Sequence, residues 1–296
     1  MTIKPLHPRH LLGEPIKQRI LADVRDYVKN TSRMGKLVSI AIDGTAEVGV
    51  YIRNQAKVAA NVGIEFEQQF WDRNITQGAC KAIIKKLNDD PSVLGIIIQR
   101  PLPPHINVRL LQTTIHPLKD VEGMNPESIG NIVYSDIALA PCTAAAAIEM
   151  IKFLELEIKG LEVVMIGHSE IVGRPVAMML IAEGATVTVC HNMTRSVAMH
   201  SRRADVVLVA VGSAHLVGPD MIKPGAVVID IGINQQENSD GKIKIVGDVD
   251  TEAVAEVADW VTPVPGGVGP VTVAILMRNT VLAHQRQLQN IWREVG

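Results

Sequence analysis

The stretch LEVVMIGHSEIVGRP, residues 161–175, decides the fold class, because an apolar strand runs directly into a glycine-containing turn and then into a helix. A glycine at such a junction lets backbone amides approach a pyrophosphate, which the positive end of the helix also attracts. The usual middle glycine is replaced by Ser169, and the next glycine is Gly173. Taken alone, the pattern fits a tight turn without a ligand equally well.

Three further strand-like segments follow this turn and favour cofactor binding. They read ATVTVC at 185–190, DVVLVAVG at 205–212 and AVVIDIG at 226–232. Two of them end in glycine, at Gly212 and Gly232, and ligands of open α/β sheets bind at the carboxyl ends of strands. We therefore predict a Rossmann-like, doubly wound parallel sheet that binds a dinucleotide.

The first half of the chain shows the same alternation of helix-like and strand-like segments. A helix around residues 14–30 precedes the apolar run LVSIAI at 37–42, which the helix containing YIRNQAK at 51–57 follows. The run VLGIIIQ at 93–99 is unbroken, as is typical of a parallel strand covered on both faces. Such alternation predicts parallel sheets with crossover helices in both halves, so the fold class is two-domain α/β.

The domains are expected to join near residues 141–143, where an alanine-rich helix begins. The last helix, about 271–293, is expected to pack back on the first domain. The predicted N-terminal domain is thus 1–142 plus 276–296, and the predicted cofactor domain is 143–275.

Composition restricts the classes of partner and compartment. The 296 residues are 47% hydrophobic and 20% charged, with a net charge of −2, which gives no electrostatic footprint for nucleic acid or an anionic membrane. No apolar run is long enough to span a bilayer, and the first ten residues lack a secretory apolar segment. The three cysteines are odd in number and widely spaced, which indicates a reducing compartment. We expect a cytoplasmic protein.

The end of the second strand of the cofactor domain bears on which nicotinamide cofactor is bound. An NAD site often has Asp or Glu there to hold the ribose hydroxyls, whereas this chain has Cys190, His191 and Asn192, with Arg174 and Arg195 close in sequence. Without the acid, a 2′-phosphate meets no repulsion, and arginines attract it. NADP is therefore favoured, and NAD stays possible.

The segment YIRNQAK at 51–57 raises a question about catalysis. In a helix, Tyr51 and Gln55 stand four residues apart on one face. Lys57, two residues beyond Gln55, lies about 200° round the helix axis from Gln55 and so points away from Tyr51. The segment is either an ordinary surface helix or a catalytic helix without a titratable base.

Several longer motifs occur together and in a fixed order along the chain. They are QRPLP at 99–103, KDVEG at 119–123, PCT at 141–143, GHSEIVGRP at 167–175, VTVCHNMT at 187–194, KPGAVVIDIGIN at 223–234, GDVD at 247–250 and TPVPGGVGPVT at 262–272. On these motifs the chain resembles the bifunctional methylenetetrahydrofolate dehydrogenase/cyclohydrolase family, from roughly residue 37 to residue 280.

The resemblance implies two domains with a folate in a cleft between them. It implies hydride transfer from methylenetetrahydrofolate to NAD(P), which gives a methenyl cation, and a cyclohydrolase step that adds water to form 10-formyltetrahydrofolate. Neither step needs a metal. The family forms homodimers through the cofactor domain, so we expect a homodimer here.

The resemblance also assigns candidate site residues. The candidate catalytic residues are Tyr51, Gln55, Gln99 and Glu122. The candidate substrate-binding residues are Tyr51, Gln99, Pro101, Leu102, Asp120, Glu122, Gly267 and Pro270. The candidate cofactor-binding residues are Gly167, His168, Ser169, Gly173, Arg174, Pro175, His191, Asn192, Gly212, Gly232, Ile233 and Thr272.

The chain departs from the family pattern at folate-site positions. The family's catalytic lysine is Gln55, the second aspartate of its DVDG motif is Glu122, and the arginine of the cofactor turn is His168. Glutamine has no titratable proton, and loss of a general acid–base group costs about 10²–10⁴ in rate. We therefore expect a dehydrogenase whose cyclohydrolase step is weak or lost. A fully bifunctional enzyme, in which another group replaces the lysine, and a cofactor-binding homologue without turnover are the alternatives.

Overall fold

The computed structural model describes residues 7–32, 34–43, 46–237 and 243–295, which form two compact units. One contains residues 18–142 and 273–295 and is called here the three-stranded unit. The other contains residues 7–17 and 143–272 and is called the five-stranded unit.

The three-stranded unit is built on a parallel sheet of order β2-β1-β3. The strands are β1 (Lys36–Ile42), β2 (Glu65–Trp71) and β3 (Val93–Ile98). All six residues of β3 are buried, as expected for an apolar strand with both faces covered, whereas no residue of the edge strand β2 is fully buried. One buried cluster lies between this sheet and the helix that follows β2, and a smaller one lies between the sheet and the helix that follows β1.

The five-stranded unit is a parallel sheet of order β10-β7-β6-β4-β5. Its strands are β4 (Glu162–Ile166), β5 (Thr186–Cys190), β6 (Val206–Val209), β7 (Val227–Asp230) and β10 (Trp260–Val261). Because β5 and β6 lie on opposite sides of β4, the strand order reverses there, and a ligand-binding crevice is expected between the loops after β4 and β6.

The described helices and a hairpin complete the chain. The helices are α1 (Gly13–Lys29), α2 (Ala46–Val62), α3 (Gln77–Asp89), α4 (Val108–Gln112), α5 (Pro126–Val133), α6 (Cys142–Phe153), α7 (Gly173–Ala182), α8 (Val197–Ser201), α9 (Thr251–Ala255) and α10 (Val268–Val295). The antiparallel pair β8 (Asn234–Glu237) and β9 (Ile243–Val246) was not predicted. Within the described ranges, no helix combines the length and the apolar character needed to cross a bilayer.

The predicted two-domain α/β fold with parallel sheets is confirmed, and the predicted boundaries differ from the two units in two places. Residues 7–17 group with the five-stranded unit because their backbone pairs with it. The N–H of Leu11 donates to the carbonyl of Val261 at 2.9 Å, and the N–H of Gly13 donates to that of Gly266 at 2.9 Å. Residues 273–275 of α10 group with the three-stranded unit.

Candidate active site and cofactor-binding turn

Two buried glutamines join α2 to the end of β3. Gln99 follows β3, and its Nε2 donates to Oε1 of Gln55 at 2.7 Å and to Oγ of Ser39 on β1 at 3.0 Å. The N–H of Gln99 also donates to the carbonyl of Ile40 at 2.8 Å. Gln55 is 2% exposed, so the position that the resemblance assigns to a lysine holds a fixed, neutral amide.

Tyr51 lies one turn before Gln55 on α2, and the two side chains are hydrogen-bonded. Desolvation of its hydroxyl, with the nearby acidic groups of Glu122 and Cys142, raises the pKa of Tyr51 to about 12. The phenol is therefore protonated at neutral pH and serves as a hydrogen-bond donor or acceptor. Lys57 is exposed, in agreement with its expected position on a different side of the helix.

Glu122 is the titratable group of this site with a pKa near neutrality. Its Oε2 accepts a hydrogen bond from the N–H of Ile98, the last residue of β3, at 3.1 Å. Burial raises the pKa of Glu122 to about 7, the charge of Asp120 adds to this effect, and Arg100 opposes it. The carboxyl group therefore exists in both protonation states near pH 7.

Asp120 is directed into the protein. Its Oδ2 accepts hydrogen bonds from the N–H of Asn125 and the hydroxyl of Ser128, both at 2.7 Å, at the start of α5. Burial raises the pKa of Asp120, and these hydrogen bonds oppose that shift. The observed contacts are structural, and the contact of Asp120 with substrate stays a prediction.

Cys142, at the start of α6, lies close enough to Tyr51, Glu122 and Asp120 to interact with them electrostatically. Its thiol donates to the carbonyl of Val121 at 3.3 Å, and Nδ2 of Asn279 lies 3.6 Å from the sulfur. Burial raises the pKa of Cys142 well above its usual range, so the thiol stays protonated and is not a nucleophile.

The remaining candidate substrate-binding residues lie in two regions. Pro101 is exposed and Leu102 is half-buried after β3, in the three-stranded unit. Gly267 is buried and Pro270 is half-buried in the five-stranded unit, at the end of the proline-rich loop and in the first turn of α10. Their contacts with a folate stay predictions.

The turn after β4 packs tightly against the neighbouring backbone only because of its glycines. Gly167 has φ +117°, and a Cβ there would collide with the carbonyl oxygen of Ala210. A Cβ on Gly173 would collide with the carbonyl oxygen of Gly167. Oγ of Ser169 accepts from the N–H of Val172 at 3.2 Å, so the serine shapes the start of α7. The turn therefore fits the close backbone approach that a pyrophosphate requires.

Two histidines meet at the ends of β4 and β5. The rings of His168 and His191 are edge to face with centroids 4.7 Å apart. His191 is oriented by the N–H of Met193, which donates to its Nδ1 at 3.1 Å. Asn192, Arg174 and the other basic side chain Arg195 are exposed, while Pro175 is buried in α7. The predicted site for the adenosine ribose thus carries basic groups in place of an acid.

Asp248 holds the loop after β6, a feature that the sequence analysis missed. Its Oδ2 accepts from the N–H groups of Val211 at 2.6 Å and Gly212 at 3.0 Å, and its Oδ1 accepts from the N–H of Ser213 and from Nδ2 of Asn234, both at 2.8 Å. One carboxylate therefore fixes the strand-end loop that carries the candidate residue Gly212.

Asp230 holds the loop after β7 in the same way. Its Oδ1 accepts from the N–H groups of Gly232 at 2.9 Å and Asp248 at 3.1 Å, and its Oδ2 accepts from Val249 at 2.9 Å. Burial raises the pKa of Asp230 to about 6, although these hydrogen bonds oppose the shift. Ile233, three residues further along the chain, is 69% exposed, and its contact with a cofactor stays a prediction. An aspartate that ends a wholly apolar strand is the signal that could have revealed this residue.

Thr272, the last candidate cofactor-binding residue, lies in the first turns of α10. Its hydroxyl donates to the carbonyl of Val268 at 3.3 Å.

Among the described residues, no cluster of three or more His, Cys, Asp or Glu could hold a metal ion.

Comparison with protein families matches the chain in two parts. Residues 11–122 match the model described as the catalytic domain of tetrahydrofolate dehydrogenase/cyclohydrolase. Residues 141–288 match the model described as its NAD(P)-binding domain.

Relatives and solved structures agree with these matches. The chain is 68% identical over 285 residues to "Bifunctional protein FolD 3" of Roseobacter denitrificans, covering 96% of this chain and 98% of that protein. The bifunctional FolD structure from Campylobacter jejuni is 38% identical, with a TM-score of 0.88 and coverage of 93% and 98%. The Trypanosoma brucei FolD structure, complexed with NADP and inhibitor, is 33% identical, with a TM-score of 0.87 and coverage of 94% and 98%.

Substitution of Gly247 tests whether the aspartates set the shape of the strand-end loops. A Cβ on Gly247 would collide with Oδ2 of Asp230. We expect Gly247→Ala to lower the free energy of unfolding by about 1–3 kcal/mol, the usual cost of overpacking. Gly269→Ala is the matched control, because a Cβ there meets nothing within 4 Å. Denaturant unfolding measures both, and equal stability of the two variants would contradict the assignment.

The pH dependence of stability tests the burial of Glu122. Its folded pKa of about 7 lies above the ordinary value of 4.5, so the folded state binds the proton more tightly, and stability falls as pH rises between these values. Glu122→Gln removes this loss. We expect the variant to gain about 1–3 kcal/mol of unfolding free energy relative to the wild type between pH 4.5 and pH 8. Glu127→Gln, at an exposed position on α5, is the control. A gain of the same size in both variants would contradict the assignment.

Proposed function

The chain belongs to the tetrahydrofolate dehydrogenase/cyclohydrolase family, and we propose that it oxidises 5,10-methylenetetrahydrofolate with NADP and hydrolyses the methenyl product to 10-formyltetrahydrofolate. The observation that carries the proposal is the hydrogen-bonded group of Tyr51, Gln55 and Gln99 beside a half-buried Glu122 at the end of β3. This group offers hydrogen bonds to a substrate and one carboxyl group that titrates near neutral pH.

The oxidation step needs orientation more than proton transfer. A hydride leaves the methylene carbon, and the two flanking folate nitrogens share the resulting positive charge, so no protein acid or base is required. NADP supplies the hydride acceptor when it is bound. The chain's task is to hold the two rings in contact, and the fixed amide of Gln99 and the phenol of Tyr51 are suited to orient the folate.

The preference for NADP is supported by the charges around the predicted ribose site. His168 and His191 meet at the ends of β4 and β5, Arg174 and Arg195 are close to them in sequence and exposed, and β5 ends without an acidic residue. Basic side chains attract a 2′-phosphate, and the end of β5 lacks the acidic residue that often binds the ribose hydroxyls of NAD.

A second candidate function is oxidation without effective hydrolysis. The observation that favours it is the buried Gln55, which can accept and donate hydrogen bonds but cannot move a proton. If no other group replaces the family's lysine, the hydrolysis rate falls by about 10²–10⁴.

An assay that follows the two steps separately tests these functions. The pure protein is mixed with methylenetetrahydrofolate and either NADP or NAD, and reduced cofactor and methenyl product are recorded. We expect faster reduction of NADP, and methenyl decay above the solvent rate. Gly173→Ala should lose the reduction step, because its Cβ would close the cofactor turn.

Each other outcome selects a different function. A methenyl product that decays only at the solvent rate would favour oxidation alone. Absence of reduction with both cofactors would overturn the proposal and favour a binding role without turnover.

We also propose a homodimer formed through the five-stranded unit. Strand β5 ends that sheet, and Val189 on β5 and the α7 residues Met178 and Ile181 are apolar and exposed. A second copy could cover this face and pair with the open strand edge.

Light scattering at micromolar concentration tests the dimer. We expect twice the chain mass of 32.1 kDa. Val189→Lys should give monomers because a charge would be buried, while Phe70→Lys on the exposed edge strand β2 should leave the mass unchanged. A monomeric wild type would refute the proposal.

A further inference from the structure

We propose that Glu122 accepts the proton from the water that hydrolyses the methenyl group, and so performs the step that the family's pattern assigns to a lysine at position 55. The inference rests on the proposed function, and specifically on its hydrolysis step. It concerns a residue that the family pattern treats as an aspartate in contact with the folate ring.

The position of Glu122 connects it directly to the hydrogen-bonded glutamines. Its Oε2 accepts from the N–H of Ile98, and the next residue, Gln99, donates through its side chain to Gln55. Tyr51 links the two groups, because its side chain is hydrogen-bonded to Gln55 and lies close enough to Glu122 to feel its charge. The carboxylate and the amide at the lysine position therefore both lie near Tyr51.

The second carboxylate oxygen of Glu122 is free to receive a proton. No described residue donates a hydrogen bond to Oε1, and this oxygen is not one of the described polar atoms that are both fully buried and without a partner, so it is open to solvent. Glu122 is half-buried, so one oxygen is anchored to the backbone while the other can reach a water molecule. An anchored carboxylate with one open oxygen has the geometry of a general base.

The charged and titratable groups around Glu122, together with its burial, determine its pKa. They are Asp120 on its own loop, Arg100 after β3, Tyr51 on α2 and Cys142 at the start of α6. Tyr51 and Cys142 stay protonated because their pKa values are raised, so Arg100 and Asp120 supply the nearby charges, which act in opposite directions. Burial leaves the pKa of Glu122 at about 7, near the operating pH that favours a base.

The proposed step balances in atoms and charge. As the water oxygen bonds to the methenyl carbon, one water proton passes to Oε1 of Glu122 and the cation becomes a neutral carbinolamine. The bond from that carbon to N5 then breaks. N5 takes the proton from Glu122, and the hydroxyl proton passes to solvent as the formyl carbonyl forms. The net reaction is methenyl cation plus water to 10-formyltetrahydrofolate plus one proton.

The test measures hydrolysis of preformed methenyltetrahydrofolate without any nicotinamide cofactor, between about pH 6 and pH 8.5, after subtraction of the solvent rate. For the wild type, kcat should rise with pH around an apparent pKa of about 7. Glu122→Gln should lower kcat at pH 8 by about 10²–10⁴-fold and abolish the rise. Glu122→Asp should keep the rise with a lower plateau, because a carboxylate is present but one methylene shorter. Glu127→Gln is the matched surface control and should follow the wild type.

Three results would overturn the proposal. The first is a Glu122→Gln enzyme that keeps the pH rise, or keeps kcat within about threefold of the wild type, well short of the loss of a general base. The second is a flat pH profile in Glu122→Asp, which decides the question if Glu122→Gln does not fold. The third is a wild type that hydrolyses no faster than solvent. Reduction of NADP in the separate assay then shows whether the dehydrogenase function also fails, so the two failures are distinguishable.

Discussion

The hydrogen bond of 2.7 Å between Gln99 and Gln55 is the contact around which the active site is arranged. It joins α2 to the end of β3, and neither of the two amides carries a charge. A lysine ammonium at this place would attract the nearby carboxylate and hold the pKa of Glu122 low. With a neutral amide there, burial dominates, and the pKa of Glu122 lies at about 7. Gln55 in place of the family's lysine thus removes one base, and it also leaves Glu122 with the pKa that a base near neutral pH requires.

In the five-stranded unit, two buried carboxylates bind the backbone N–H groups of loops that have no regular secondary structure. The loops after β6 and β7 have backbone N–H groups that no strand can satisfy, and Asp248 and Asp230 accept hydrogen bonds from them. Because these loops lie at the carboxyl ends of parallel strands, the same bonds shape the crevice expected to hold the cofactor. The positions of these loops therefore depend on the side chains of Asp248 and Asp230.

The sequence allowed most of the fold to be predicted, because apolar runs such as those of β3, β4 and β7 are local signals of buried parallel strands. The antiparallel hairpin β8–β9 escaped, since NQQE carries no apolar alternation. The roles of Asp248 and Asp230 also escaped, because most of their partners lie 18 to 37 residues away along the chain. Glu122 was expected at the site from the resemblance. Its titration near neutral pH depends on burial and on Asp120, which only the folded chain brings into place.

The two aspartates and two of the glycines in this region fit each other reciprocally. A Cβ on Gly232, two residues after Asp230, would strike Asp248, and a Cβ on Gly247, just before Asp248, would strike Asp230. Each acid therefore occupies the space that a missing side chain leaves beside the other acid. Mutations at these four positions should therefore be strongly epistatic. A larger residue at either glycine becomes tolerable only if the acid that faces it is shortened at the same time. Shortening that acid would in turn remove the hydrogen bonds that hold its strand-end loop.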